Sequence, residues 1–370
     1  MAKIFISLSG EGRGHATRVR ALVEALSGEH PVRIFAPGDA YSFLAPLYAG
    51  TEVRVDHLPG LCFAYDDRHR LRYPATLRRL LSYLRQLSAT LNRLTAELRR
   101  EQPDLVITDF EPALPRAARR CGVPFISLNH QHFLRTYDLS GLPHRLRWHA
   151  AYMAAIVGAY YSGQEETIVS SFYFPPLRPG CRRVTQVGVL LRETVRAARP
   201  ATGQHLVAYW RKFGSEAVLR ALENTGLEVR VYGLGERPPR GHLSFHAIHE
   251  ARFLADLATS TALVCTAGNQ LVGEALYLGK PVFALAETGN FEQEINAHFL
   301  RASGAGEAMP MTEFTEARLH RFLAALDRYR RRIRRERLDG LPTVLSVVRR
   351  HLRAVPQPAR ATAVPELLAA

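Results

Sequence analysis

Long apolar runs are missing from this chain. The nearest approach, Ala150–Tyr161, falls well short of the roughly 20 residues a membrane span requires. Cysteine is scarce: there are four, Cys62, Cys121, Cys181 and Cys265, widely spaced and with no C-x-x-C pair. That pattern excludes a disulfide framework and a cysteine-built zinc site, and reads as reduced thiols of a cytosolic protein. The opening residues, MAKIFISLSGEGRGH, lack a cationic segment followed by a small-residue cleavage site, so no export signal is expected. Acidic residues are outnumbered, 34 against 49 Lys and Arg, for a net charge of +15. Such a surplus bears on partners rather than on fold. Nucleic acid, an anionic membrane surface and an anionic small ligand all fit it.

What is present is a core-forming composition. At 47% hydrophobic over 370 residues the chain can bury two domains and is not disordered. Lys3–Leu8 reads as a strand, Ser9–His15 as a glycine loop, Ala16–Leu26 as a helix and Pro31–Ala36 as a second strand. The loop is G-x-G-x-G and no acidic residue ends the second strand, so a nicotinamide dinucleotide site is not expected. Strand and helix patterns alternate again through Leu105–Asp109, Pro112–Cys121 and Gly122–Leu128. After a basic linker, Arg192–Gln204, they resume at His205–Tyr209, Glu216–Thr225, Val229–Tyr232, Ser244–Ile248 and Glu250–Ala258. Alternation of this kind predicts an α/β protein of two Rossmann-like, doubly wound domains facing each other across a cleft. The expected bounds are 1–190 and 203–345, with a helix end and loose tail over 346–370.

The most informative stretch is 262–300. The apolar run Ala262–Cys265 leads into Thr266-Ala267-Gly268-Asn269, then a helical pattern carrying Glu274, then a strand, Pro281–Ala286, entered through Gly279-Lys280. A glycine turn opening a helix offers unpaired backbone N–H groups to an anion. Glu274, about one turn further on, suits a ribose diol beside a diphosphate. The plainer alternative is a βαβ connection in which Gly268 merely closes a turn. Glu292 and Gln293 follow the second strand, at the same carboxyl edge, where open α/β sheets bind ligands.

With these residues the chain resembles the C-terminal domain of GT-B glycosyltransferases. In particular it resembles the branch containing the lipid-linked peptidoglycan N-acetylglucosaminyltransferase and related uncharacterised glycosyltransferase-family proteins. That branch has a T-A-G-G turn, a Glu on the next helix, a G-K-P strand entry and an E-Q-x-x-N-A segment. Here these are Thr266–Asn269, Glu274, Gly279-Lys280-Pro281 and Glu292–Ala297. The family's G-x-G-H loop matches Gly12-Arg13-Gly14-His15, and its S/T-D-F matches Thr108-Asp109-Phe110. The departure is Asn269 where a second Gly is common; its amide could itself donate to a phosphate.

The resemblance implies an inverting, metal-independent transferase without a cofactor. It would take a nucleotide-diphosphate sugar, UDP-linked by expectation, and a hydroxyl acceptor on a lipid or small molecule. Gly14, Thr266, Gly268, Asn269, Glu274, Glu292 and Gln293 would bind the donor. His15, at a strand's carboxyl end, is the candidate base because imidazole accepts protons near neutrality; Glu11 and Glu111 are rivals. Asp109 either holds the imidazole as a triad carboxylate does or caps the following helix. Arg18 either touches the diphosphate or solvates a helix face, and the second reading is preferred. Asn129 and His130 end another strand where an acceptor would lie. His249 precedes a helix where the family's nucleotide base is read through backbone groups. The Arg-rich helix over Tyr73–Arg100 carries leucines at 77, 80, 81, 84, 87, 91, 94 and 98. It either packs on the first core or docks on anionic lipid at the membrane's inner face. Two other functions remain open, a GT-B-fold UDP-sugar epimerase and a basic nucleic-acid binder.

Overall fold

The structure is a computed structural model that describes residues 1–10, 13–61, 73–210 and 215–354. Glu11 and Cys62 therefore lie outside the described residues, as does the expected tail from residue 355 onward.

The first half runs β1 (Ile4–Leu8), α1 (Arg13–Leu26), β2 (Val32–Ala36), α2 (Gly38–Leu47), β3 (Arg54–His57), α3 (Tyr73–Glu101), β4 (Leu105–Asp109), α4 (Ala113–Cys121), β5 (Phe125–Asn129), α5 (Phe133–Thr136), α6 (His144–Tyr160), β6 (Glu166–Ser170) and β7 (Val184–Val187). Its strands form one parallel sheet in the order β3-β2-β1-β4-β5-β6-β7. β1, β2, β4, β5 and β6 are buried at every position. Helices cover both faces of such a sheet, which is why β1, β4 and β5 read as largely apolar runs.

The short helix α7 (Glu193–Ala197) lies in the expected linker. The second half follows with β8 (His205–Tyr209), α8 (Glu216–Glu223), β9 (Glu228–Tyr232), β10 (Arg237–Arg240), β11 (Leu243–His246), α9 (Glu250–Thr259), β12 (Ala262–Thr266), α10 (Asn269–Tyr277), β13 (Val282–Ala286), α11 (Phe291–Ser303), β14 (Gly306–Pro310), α12 (Glu316–Ala324), α13 (Leu326–Arg330) and α14 (Leu341–Ala354). Its sheet is ordered β10-β11-β9-β8-β12-β13-β14, with β10 alone antiparallel to its neighbour. The architecture is the expected one: two Rossmann-like lobes.

The strand orders locate the candidate site. In the first sheet the winding reverses between β1 and β4, and in the second between β8 and β12. Ligand crevices of open α/β sheets form at such switch points. His15 follows β1, Asp109 ends β4, and Gly268 follows β12.

Residues 341–345, which the expected bounds put in the second lobe, belong to α14, which returns to the first as the C-terminal helix of the GT-B resemblance implies. Leu341, Val344, Val347 and Val348 are buried in one cluster with Val187, Leu190 and residues of β1 and α1. The chain crosses itself there. A Cβ on Gly188 would lie 2.3 Å from the Leu338 carbonyl oxygen, and one on Gly340 would lie 2.2 Å from that of Gly188. Glycine at both positions is what lets the two backbones touch.

Along α3, Leu91, Leu94 and Leu98 are buried against α4, whereas Leu80, Leu81 and Leu84 are exposed. The packing reading thus holds for the second half of the helix, and its first half presents apolar side chains to solvent. No helix among the described residues is long and apolar enough to cross a membrane.

Candidate active site

Strand register builds the first half of the site. Leu8 of β1 pairs with Asp109 of β4, and the Ser9 N–H donates to the Asp109 carbonyl at 2.8 Å. The loop after β1 therefore starts beside the Asp109 carboxylate. The next helix begins at Arg13 rather than at the expected Ala16, so His15 sits within its first turn. The His15 Nδ1 lies 2.9 Å from Asp109 Oδ1. A carboxylate can only accept, so Nδ1 carries the proton and the lone pair is at Nε2, the tautomer a general base needs.

Arg18 completes the group and corrects the solvated-face reading. Its Nη1 donates to both Asp109 oxygens at 2.8 Å, and the two side chains are 3% and 1% exposed. One turn separates His15 from Arg18, so one carboxylate reaches both. Capping of α4 falls to Glu111, not Asp109. Glu111 accepts the Ala113 and Leu114 N–H groups at 2.6 and 2.9 Å. Burial pushes its carboxyl above the ordinary range, against the opposing pull of those two bonds. A buried carboxylate so engaged is a poor rival to His15. Between Asp109 and Glu111, Phe110 holds a positive φ of 57° and stacks on Tyr160 at 4.6 Å. Left-handed backbone at a bulky residue is uncommon outside functional turns.

In the second lobe, Gly268 is the N-cap of α10 and donates its own N–H to Thr266, at the end of β12. A Cβ at Gly268 would meet nothing within 4 Å, so the space before the helix is open. One on Gly14 would lie 3.9 Å from Gln270 Cβ. The first turns of α1 and α10 therefore face each other, each with unpaired N–H groups and a partial positive charge.

The other donor candidates already hold protein partners. Asn269 is buried and its amide is engaged within the protein: its Nδ2 donates to the Ser170 carbonyl, and its Oδ1 accepts the Phe172 N–H. Glu274 lies in the second turn of α10, deeper than expected, and is 5% exposed. It accepts from Gln270 at 2.9 Å and faces Arg192 at 3.5 Å. The Gln293 amide turns back onto Glu287, donating at 2.8 Å and accepting its N–H at 2.9 Å. Glu292 accepts from Gln131 of the first lobe at 3.3 Å.

Acceptor contact by Asn129 and His130 is not what the structure shows. They are 0% and 1% exposed. Asn129 bonds Ser127, Tyr161 and His132. His130 lies between the Ser170 carbonyl and Asn296 Oδ1, each 3.1 Å away. His249 caps α9, accepting the Arg252 N–H.

The family model for Glycosyl transferase family 1 matches residues 2–327. The chain belongs to that family. An uncharacterized glycosyltransferase of Methanosarcina mazei is 23% identical to the transferase over 93% of this chain and 95% of its own length. Among solved structures, a calicheamicin glycosyltransferase matches with a TM-score of 0.66 at 18% identity, covering 96% of this chain and 100% of that one. MurG of Acinetobacter baumannii matches with a TM-score of 0.61 at 14% identity, covering 95% and 100%. The fold is GT-B, and the protein is a glycosyltransferase.

The transferase holds its lobes together through residues that sequence reading did not single out. Glu250 accepts from Arg20 of the first lobe and from Arg192 of the linker. Asn296 accepts the Tyr173 hydroxyl at 3.0 Å and donates to the Ala267 carbonyl at the same distance. Arg145 pairs with Glu294, and His149 stacks on Phe291 at 3.5 Å. These contacts span 58 to 230 positions in the chain for the polar pairs between Arg192 and Glu250 and between Arg20 and Glu250. Local pattern carries no signal for partners so far apart.

Proposed function

We propose that the transferase moves a sugar from a nucleotide-diphosphate donor, UDP-linked, to a hydroxyl acceptor, with inversion and without a metal ion. One observation carries the reading: an imidazole held by Asp109 at Nδ1, with no partner at Nε2 among the described residues, beside two facing helix N-termini. Nε2 would take the acceptor's proton as the acceptor oxygen bonds the anomeric carbon and the bond to the diphosphate breaks. Asp109 would stabilise the imidazolium. The departing diphosphate would lie between the starts of α1 and α10, whose repulsion an anion relieves. Glu274 would exchange Arg192 for the ribose diol, and Glu292 and Gln293 would exchange their present partners for sugar hydroxyls.

The test is nucleotide release from UDP- and dTDP-hexoses with a panel of hydroxyl acceptors in excess EDTA, with products read by mass spectrometry and anomeric NMR. A glycoside of inverted configuration, formed at an undiminished rate in EDTA, is expected. An isomerised donor without transfer would mean an epimerase, and loss of turnover restored by a divalent cation would end the metal-free reading. Tight nucleic-acid binding with no nucleotide affinity would remove the enzyme reading altogether.

A lipid-borne acceptor is favoured by exposed apolar side chains on two helices of the first lobe. Besides the exposed leucines of α3, α6 exposes Trp148 and Tyr152 at 70% and 66%. Neither helix carries an acidic residue before Glu97. Aromatic and aliphatic side chains set among arginines suit an anionic bilayer. In flotation at low ionic strength the protein is expected to rise with phosphatidylglycerol vesicles and not with neutral ones; equal recovery from the two would refute lipid docking.

A further inference from the structure

A cavity of about 290 Å³ lies in the first lobe between α5, the end of α6 and the entry to β6. It is close to the lower bound of small-molecule pockets, about 300 Å³. His15, Asp109 and Gly268 do not line it. Its lining is chemically one-sided. Arg135 projects from α5, and its guanidinium has no ion pair or hydrogen bond among the described residues. Its guanidinium lies across Gly158 of α6, so close that a Cβ there would fall 1.5 Å from Nη1. Among the described residues no acidic side chain lines the space.

Two acceptors complement that cation. Asn129 accepts the His132 backbone N–H at 2.9 Å, which fixes its amide with Oδ1 toward His132. The His132 Nδ1, 3.0 Å from the same oxygen, must then donate. That leaves the Nε2 lone pair of a side chain 3% exposed without a partner among the described residues. Burial pushes the ring's pKa down to about 4, so it stays a neutral acceptor near pH 7. Gln164 donates its amide N–H to Thr167, while its Oε1 is buried without any partner. An unmade hydrogen bond at a buried oxygen costs about 1–3 kcal/mol, which a ligand hydroxyl would recover. Ser162, held by Arg119, stands at the rim.

We infer that this cavity is a second ligand site, taking a carboxylate or phosphate carried on a small hydroxylated molecule. The anion pairs with Arg135, and neighbouring hydroxyls donate to His132 Nε2 and Gln164 Oε1. Tyr161 lines the cavity and joins it to β5, its hydroxyl bonded to Ser127 and Asn129. After burial, the charges of Asp109 and Glu111 help to raise that phenol. The site requires no transfer activity, so it stands or falls separately from the reading of the reaction.

Calorimetry on the full chain tests it with three probes: glucose 1-phosphate, glucuronate and glucose, each with and without saturating UDP. Glucose 1-phosphate, glucuronate or both are expected to bind, glucose is not, and UDP leaves the binding unchanged. Arg135→Gln removes the charge-assisted bond and lowers affinity by about tenfold or more. Gly158→Ala displaces the guanidinium and weakens binding likewise. Binding of one anion alone identifies phosphate or carboxylate as the group recognised. The inference is overturned if neither anion binds, if glucose binds as well as they do, or if UDP displaces them. Full affinity in either variant, shown by circular dichroism to be folded, overturns it too.

Discussion

Replacing His15 with alanine is expected to lower kcat by roughly three orders of magnitude while the donor KM stays within a factor of about three. The asymmetry follows from the geometry. The imidazole acts on the acceptor's proton, so its loss removes an interaction made chiefly in the transition state. Asp109→Asn should cost nearly as much for a different reason. Arg18 Nη1 donates to both carboxylate oxygens, so it would hold the single oxygen of the new amide. The amide N–H₂ would then face His15 Nδ1 and donate to it, forcing the proton onto Nε2, where a base needs a lone pair. Steady-state kinetics at saturating donor decide the matter. Turnover of His15→Ala within tenfold of the parent would place the base elsewhere, and Glu11 would be the next residue to replace.

Arg18→Met is expected to be among the most destabilising single changes in the first lobe, at about 3–5 kcal/mol. The carboxylate it leaves behind is 1% exposed and would keep, among the described residues, only the His15 hydrogen bond. A buried charge stripped of its partner is far costlier than the pair was worth. The control is the double variant Arg18→Met, Asp109→Leu, which removes both charges and should regain at least half of the loss. Denaturant midpoints with unchanged slopes would measure both. A cost below about 1 kcal/mol for Arg18→Met would mean that its guanidinium is solvated after all.

The parallel core was legible because β1, β2, β4, β5, β8, β12 and β13 are short apolar runs bounded by turn residues. Of the strands that escaped notice, β3, β7, β10 and β14 are the edges of their sheets and β6 stands next to one. β3 reads RVDH, β10 reads RPPR and β7 reads VTQV. Such segments pack on fewer sides and need little hydrophobicity; β10 tolerates prolines because it is an edge. His15 and Asp109 could be named from sequence since each follows or ends a recognisable strand. Arg18 could not be placed, because its burial is imposed by a carboxylate 91 positions away. Asn269 was misjudged for the same reason: its amide is oriented by Ser170 and Phe172, nearly 100 positions earlier. Asn129 and His130 were correctly put at a strand's end, but nothing local reveals that Asn296 and Tyr161 would cover them.

The contact between Gly188 and Gly340 sets how the lobes can move. Polypeptide passes from one half of the molecule to the other twice, outward after β7 and back before α14, and the two passages meet backbone to backbone. Tethers fastened at one spot leave rotation about that spot as the easy motion and resist translation. Donor entry would accordingly proceed by a hinge-like swing, widest on the side remote from these glycines. An added methyl at either one would shift the pivot itself, altering the opening without touching a single residue that meets substrate.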